Sequence, residues 1–472
     1  MKLYKYIFFS LLAIFTSLAF AYGQVRIACI GNSITYGSKL PDRLTQSYPA
    51  QLQEMLGKDY NVMNFGVSGA TLLKKGNKPY INTAVYKEAL NSLPDIVLIK
   101  LGTNDTKLIN RTRLQDFKEN YKELINAFRS LPSKPRVILL TPVTVFTTDS
   151  TQIWDDILTW SIIPFTQEIA YEENLELIDL HRLFLDKENL LQDKVHPNEI
   201  GAKVIANRLK EQIADLKTRP FAVKSKIKNL VKVSSFYGFT DLEFVFKGHT
   251  AHLVLPKAAA KGKPWIWRAR FWGHEPQTEV ALLERGYHVA YCDVSELFGN
   301  KEAIELWDSF YKALHKMGLS NKVTLEGMSR GGVYIYNWAA VNPKKISCIY
   351  ADNPVVDLMS WPGGFGKGPG SKKEWELFKK DFGYQTDEQA KASKHSPIDK
   401  IALIAKGRYP ILHICGDKDE LVPMEENTIP FEKLLLRAGG NITVIHKKEA
   451  KHHPHSLQNP EVIVDFILKA NH

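Results

Sequence analysis

Two serines in this chain stand where a hydroxyl could attack a carbonyl. Ser329 lies in Gly327-Met328-Ser329-Arg330-Gly331-Gly332, between an apolar strand-like run and a helical pattern over 333–340. Strand, Gly-x-Ser-x-Gly and helix make a nucleophile elbow, in which the glycines permit the sharp turn that exposes the hydroxyl. Such a hydroxyl is a poor nucleophile until a neighbouring imidazole takes its proton. A carboxylate must then fix the imidazole tautomer and stabilise the imidazolium. Both partners occur downstream, Asp417 and Asp419 in one loop and His452, His453 and His455 in another. The second serine, Ser33, belongs to the first of four short blocks. These are Gly31-Asn32-Ser33-Ile34-Thr35, Asn64-Phe65-Gly66-Val67-Ser68-Gly69, Gly102-Thr103-Asn104-Asp105 and Asp193-Lys194-Val195-His196-Pro197. An aspartate three residues before a histidine can hold the ring, and glycine and asparagine amides can meet an oxyanion.

The elements around these blocks are those of two α/β units. In the first, strand-like runs at 25–30, 60–64, 95–101, 136–141 and 175–179 alternate with helix-like segments such as 47–56 and 114–131. That alternation predicts a parallel sheet covered on both faces, with the four blocks at the carboxyl ends of its strands, where open α/β sheets place their sites. A helical pattern over 197–217 is broken by Thr218-Arg219-Pro220. The second unit begins differently. Runs at 231–245 and 250–255, with Lys247-Gly248-His249 as a turn, read as an antiparallel start. Strands then fall at 265–271, 287–292, 323–326, 348–351, 411–415 and 443–446, with helices between, and 361–370 reads as an inserted glycine-rich flap.

Residues 25–216 resemble the SGNH (GDSL-like) hydrolases, a flavodoxin-like three-layer fold. The resemblance implies Ser33 as nucleophile, with Gly66 and Asn104 as oxyanion donors beside the Ser33 amide. It implies His196 as general base and Asp193 as its orienter. The chain departs from the family at Asn32, where aspartate is more usual. Residues 221–472 resemble the α/β-hydrolases, whose nucleophile, acid and base follow in that chain order. Gly416-x-x-Asp419-x-x-Val422-Pro423 matches the family's acid loop and favours Asp419 over Asp417. The spacing to Pro460 favours His452 over His455, with His453 third. An arginine after the nucleophile also occurs in glucuronoyl esterases, where its side chain helps hold the oxyanion. Arg330 is accordingly a candidate for that role, the alternative being an ion pair on the elbow helix. Arg268 and Arg270, in Trp265-Ile266-Trp267-Arg268-Ala269-Arg270, add positive charge and aromatic surface suited to a uronate or its ester, the alternative being that Trp265 and Trp267 are core.

Composition and termini bound the reading. Of 472 residues, 44% are hydrophobic and 24% charged, which excludes disorder and coiled coil. The net charge of +11 suits nucleic acid, a membrane surface or an acidic polymer alike, and with no dense Lys/Arg run or nucleic-acid motif no nucleic-acid partner is expected. Lys2 and Lys5, an apolar run and Ala19-Phe20-Ala21 predict a signal peptide over 1–21 and hence export. That run is too short for a stable membrane span. Cys29, Cys292, Cys348 and Cys415 each sit in an apolar run and read as core thiols. No metal or organic cofactor is expected, the 452–455 histidines being the one cluster with ligand character. The tandem resembles bacterial carbohydrate esterases that strip acyl groups, acetyl among them, or methyl groups from pectic or hemicellulosic polysaccharide. Two rivals stand beside that reading: a peptidase of the prolyl-oligopeptidase kind in the second half, or one half that binds glycan without catalysis.

Overall fold

The computed structural model describes residues 23–214 and 224–471. The expected signal segment 1–21 and the break at Thr218-Arg219-Pro220 lie outside these described residues. Strands β1 (Val25–Gly31), β2 (Tyr60–Gly66), β3 (Ile96–Lys100), β4 (Arg136–Leu140) and β5 (Glu176–Ile178) form a parallel sheet in the order β2-β1-β3-β4-β5. Strands buried on both faces read as continuous apolar runs, and alternate residues serve opposite layers. Ile27, Cys29, Leu98, Ile138 and Leu140 share a core with Leu52, Ile205 and Leu209, from helices Tyr48–Leu56 and Glu199–Ala214. Ala28, Ile30, Val97, Ile99 and Leu139 share the opposite core with helices Phe117–Arg129 and Ile163–Glu172. Phe117, Tyr121, Leu124, Ile125 and Phe128 make the buried stripe of the first of these. That spacing follows the helical period, and each fully buried side chain contributes about 1.5–3 kcal/mol.

The second sheet has nine strands: β6 (Leu230–Phe236), β7 (Phe239–Phe246), β8 (His249–Leu255), β9 (Trp265–Arg268), β10 (His288–Cys292), β11 (Val323–Met328), β12 (Ile346–Asp352), β13 (Pro410–Gly416) and β14 (Asn441–Lys447). Their order is β14-β13-β12-β11-β9-β10-β8-β7-β6, with antiparallel pairing from β6 through β7 and β8 to β10 and parallel pairing from β10 onward. The run at 231–245 is therefore two strands rather than one. Tyr237 and Gly238 turn it with φ of 51° and 92°, the pair of positive values that a two-residue hairpin turn requires. The run at 265–271 stops at Arg268, and Phe271 takes a φ of 55° in the loop that follows. Because β9 pairs on both sides in mid-sheet, Trp265 and Trp267 are both core, packed with Trp307, Trp338 and Phe310. The aromatic surface expected of them is absent. All four cysteines are buried, free thiols.

Each sheet has its own core, and the seam between them is ionic. Arg208 Nη2 meets Glu284 Oε2 at 3.0 Å, with each side chain 4% exposed, and Arg285 reaches Glu211 at 3.3 Å. The Glu284 carboxylate also accepts from the Asp179 amide.

Candidate active sites

Ser33 opens a one-turn helix directly after β1. Asn32 caps that turn, its Oδ1 accepting from the Ile34 amide at 3.1 Å, so the asparagine does the capping work an aspartate would do. Gly31 is required by the tightness of the turn, since a Cβ there would lie 2.0 Å from Thr35 Oγ1. His196 Nε2 stands 2.8 Å from Ser33 Oγ, and its Nδ1 stands 2.8 and 3.0 Å from the two Asp193 oxygens. Burial works against charge on Asp193. Hydrogen bonds from the His196 backbone and ring and from the Val195 amide outweigh it and hold the carboxyl below the usual range. Asp193 is therefore ionised at neutral pH and able to hold the ring and balance an imidazolium.

Ser329 is held differently. Its φ of 48° is the strained backbone of an elbow, and its amide donates to the Asp352 carbonyl at 2.9 Å. Gly327 and Gly332 make the turn possible. A Cβ at Gly327 would lie 2.7 Å from Ile335 Cδ1, and one at Gly332 would lie 2.7 Å from the Val355 carbonyl. His452 Nε2 stands 2.9 Å from Ser329 Oγ and its Nδ1 2.7 Å from Asp419 Oδ2. The other Asp419 oxygen accepts from the Leu421 and Val422 amides, each at 2.9 Å. Asp417 instead pairs with His446 on the surface, and His455 Nδ1 binds Asp352.

Both serines thus carry a histidine and an aspartate in hydrogen-bonded series, each set on its own sheet. Residues 29–204 match the GDSL-like Lipase/Acylhydrolase family and residues 302–470 the Prolyl oligopeptidase family. The chain is a tandem of these two domain types. Over 200 residues, in its N-terminal domain, it is 42% identical to an acetylxylan esterase of Xylanibacter ruminicola. That match covers 39% of this chain and 42% of the esterase, so the chain spans less than half of its relative's length. Among solved structures, acylaminoacyl peptidase of Pyrococcus horikoshii is 14% identical with a TM-score of 0.39, over 52% of this chain and 43% of that one. Dipeptidyl peptidase 4 of Porphyromonas gingivalis is 13% identical with a TM-score of 0.39, over 52% and 37%.

In the GDSL-like domain one expected donor is displaced. The Gly66 amide donates to Asn64 Oδ1 at 3.0 Å, because a short asparagine side chain folds back onto the amide two residues on. Gly66 is a glycine for another reason, namely that a Cβ there would sit 2.1 Å from the Tyr36 amide nitrogen. The next glycine of the block, Gly69, takes a φ of 80°, and no hydrogen bond engages its amide among the described residues. Asn104 Nδ2 donates to the adjoining Ala70 carbonyl at 3.0 Å, which leaves its second amide hydrogen for a substrate. Asp105 fixes this arrangement, its oxygens accepting from the Leu72 and Leu73 amides at 3.1 and 2.8 Å. Burial pushes the Asp105 carboxyl up to about 6, partly offset by those amides. The sequence offers Gly69 only as the second glycine of the same block, and the contacts of the two amides are what separate it from Gly66.

In the prolyl-oligopeptidase-type domain the two arginine expectations are corrected. Arg330 points its terminal nitrogens at Glu374, at Glu296 (3.4 Å) and at the Ser295 carbonyl (3.0 Å), with its guanidinium 4.6 Å from the Phe298 ring centroid. Its side chain is 2% exposed, so its charge is spent on carboxylates rather than offered to an oxyanion. Its backbone amide, by contrast, is engaged by no hydrogen bond among the described residues. Arg268 is buried in an ion network with Glu279 and Glu326 and reaches the His274 carbonyl, while Arg270 donates to the Ser295 carbonyl. A carboxylate-bearing residue on the facing helix decides such cases, and nothing local in the sequence reveals it. The 361–370 segment is likewise docked. Glu426 accepts from Ser360 Oγ at 2.6 Å and from the Lys367 amide.

Proposed function

We propose that this chain is an exported serine esterase with two centres that act on esterified plant polysaccharide. The observation that carries the reading is the Ser33–His196–Asp193 contact in a domain 42% identical to an acetylxylan esterase. His196 takes the Ser33 proton as Oγ bonds to the acetyl carbon. The oxyanion is met by the Ser33 and Gly69 amides and by Asn104 Nδ2. Collapse expels the sugar oxygen, which takes the proton from His196, and a water then repeats the sequence to release acetate. Asp193 stays ionised throughout.

The Ser329 centre runs the same steps with His452 and Asp419, on a methyl, uronate-linked or other acyl ester. Its oxyanion is met by the Arg330 backbone amide. The basic net charge favours an acidic pectic or hemicellulosic chain, and the Lys2 to Ala21 segment supports export.

A second reading, that the Ser329 centre cleaves peptide amides, is favoured by the match of 302–470 to the Prolyl oligopeptidase family. One panel tests both. Acetylated, methyl-esterified polysaccharide and a peptide-amide series are offered to the full chain and to its Ser33→Ala and Ser329→Ala variants. Loss of acetate release in Ser33→Ala alone supports the esterase reading. Amide cleavage lost in Ser329→Ala moves the second centre to a peptidase.

A further inference from the structure

Beside Ser329 lies a group of side chains that the ester chemistry leaves unused. His274 and Glu275 sit on the loop between β9 and helix Gln277–Glu284, and His453 sits on the loop after β14. One ligand atom from each lies within 4.8 Å of the others. His274 Nε2 and Glu275 Oε2 are 3.4 Å apart, close to the edge of a tetrahedron built on metal–ligand bonds of about 2.1 Å. The His274 and His453 rings are 6.2 Å apart at 85°, and both residues are exposed.

The supports of this group are already in place. Glu275 Oε2 accepts from the His455 amide at 2.6 Å, which ties the two loops together. The buried Arg268, paired with Glu279 and Glu326, donates to the His274 carbonyl and anchors the other loop. Metal sites depend on such outer contacts to hold their ligands. His452 is not available as a ligand, because both its nitrogens are committed to Ser329 and Asp419.

We infer that His274, Glu275 and His453 form a binding site for a borderline divalent cation such as Zn²⁺, and that its occupancy slows the Ser329 centre. Two imidazoles and one carboxylate are a ligand set zinc accepts, with a fourth position left open. The ion would join the loop carrying His274 to the loop carrying His452, whose ring is 5.0 Å from that of His453. The motion of His452 toward substrate and leaving group is then restrained. The steps proposed above route nothing through this ion. The effect on Ser329 rests on the function proposed above, whereas the site does not.

The test has two readouts on the full chain. Co²⁺ is titrated as a spectroscopic stand-in, followed by its visible d–d absorption and by Zn²⁺ competition. Labelling of Ser329 and of Ser33 by a fluorophosphonate is timed with and without saturating Zn²⁺. The expected result is one ion bound, with affinity at least about tenfold weaker in both His274→Ala and His453→Asn. Zn²⁺ should slow labelling of Ser329 but not of Ser33, chelator should reverse this, and His274→Ala without metal should label normally. No binding to the wild-type chain, or binding unchanged in both variants, overturns the site. Binding that leaves Ser329 labelling unchanged overturns the coupling. Failure of Ser329 to label without metal counts against the proposed function, and the cobalt titration still decides the site.

Discussion

Asp193 and His196 lie three residues apart on one loop, whereas Asp419 and His452 come from loops after different strands and are 33 residues apart. The Asp193 side chain is 40% exposed and that of Asp419 1%. In the first centre, then, the acid–base pair is a local structure, held by amides of its own turn and half in solvent. In the second it is a tertiary structure that exists only while β12, β13 and β14 keep their register. The nucleophiles differ in the same sense. Ser33 starts a helix with an ordinary cap, while Ser329 sits at a positive φ that its neighbours must enforce. Distant packing therefore matters more to the second centre than to the first.

The largest effect that could break this comparison is loss of each nucleophile. Ser33→Ala and Ser329→Ala should each cost on the order of 10⁶-fold in kcat at its own centre and leave the other unchanged, read from product release. The acids sharpen it. Asp419→Asn should cost about 10⁴-fold, as expected for a buried orienter, and Asp193→Asn clearly less, because water can replace part of what a half-exposed carboxylate provides. Equal losses would deny the distinction. Asn104→Ala should lower kcat at the Ser33 centre by about 10²–10³-fold, while Asn64→Ala, which frees the Gly66 amide and gives up a long 3.5 Å contact to the Tyr36 carbonyl, should change it little.

Arg330→Ala should leave the Ser329 rate within a few-fold. It should lower stability by about 1–2 kcal/mol in a denaturant melt, since the partly buried Glu374 loses its partner, whereas the exposed Glu296 keeps Arg270. A large kcat loss at unchanged stability would restore the oxyanion role to its side chain. The smallest effect is one of pH. The Asp193 carboxyl titrates lower in the folded chain than in the unfolded one, so it stabilises the fold above about pH 4, and that contribution fades as the pH falls through its folded value. Melts of the wild type and Asp193→Asn should therefore converge as the pH falls below about 4 and through that folded value.

What was legible in the sequence tracks how local each feature is. Buried parallel strands were readable because an apolar run bounded by glycine has few alternatives, and Ser33, Asp193, His196 and Ser329 stood in such punctuated blocks. The Tyr237-Gly238 hairpin was missed because a tyrosine at positive φ leaves no turn signature. The partners of Arg330 and Arg268 were illegible for another reason. Glu374, Glu296, Glu279 and Glu326 reach them only through tertiary packing, and a guanidinium in a motif looks the same whether it faces a substrate or a carboxylate. The shift of the oxyanion donor from Gly66 to Gly69 was illegible, because it shows only in the hydrogen bond from the Gly66 amide to Asn64.

The central claim is that one chain carries two independent serine centres. Intact-mass analysis after exhaustive fluorophosphonate treatment tests it most directly. Two adducts on the wild type, one on Ser33→Ala, one on Ser329→Ala and none on the double variant are predicted. A single adduct on the wild type, abolished by one of the two substitutions, would contradict it and leave the other domain without an activated serine.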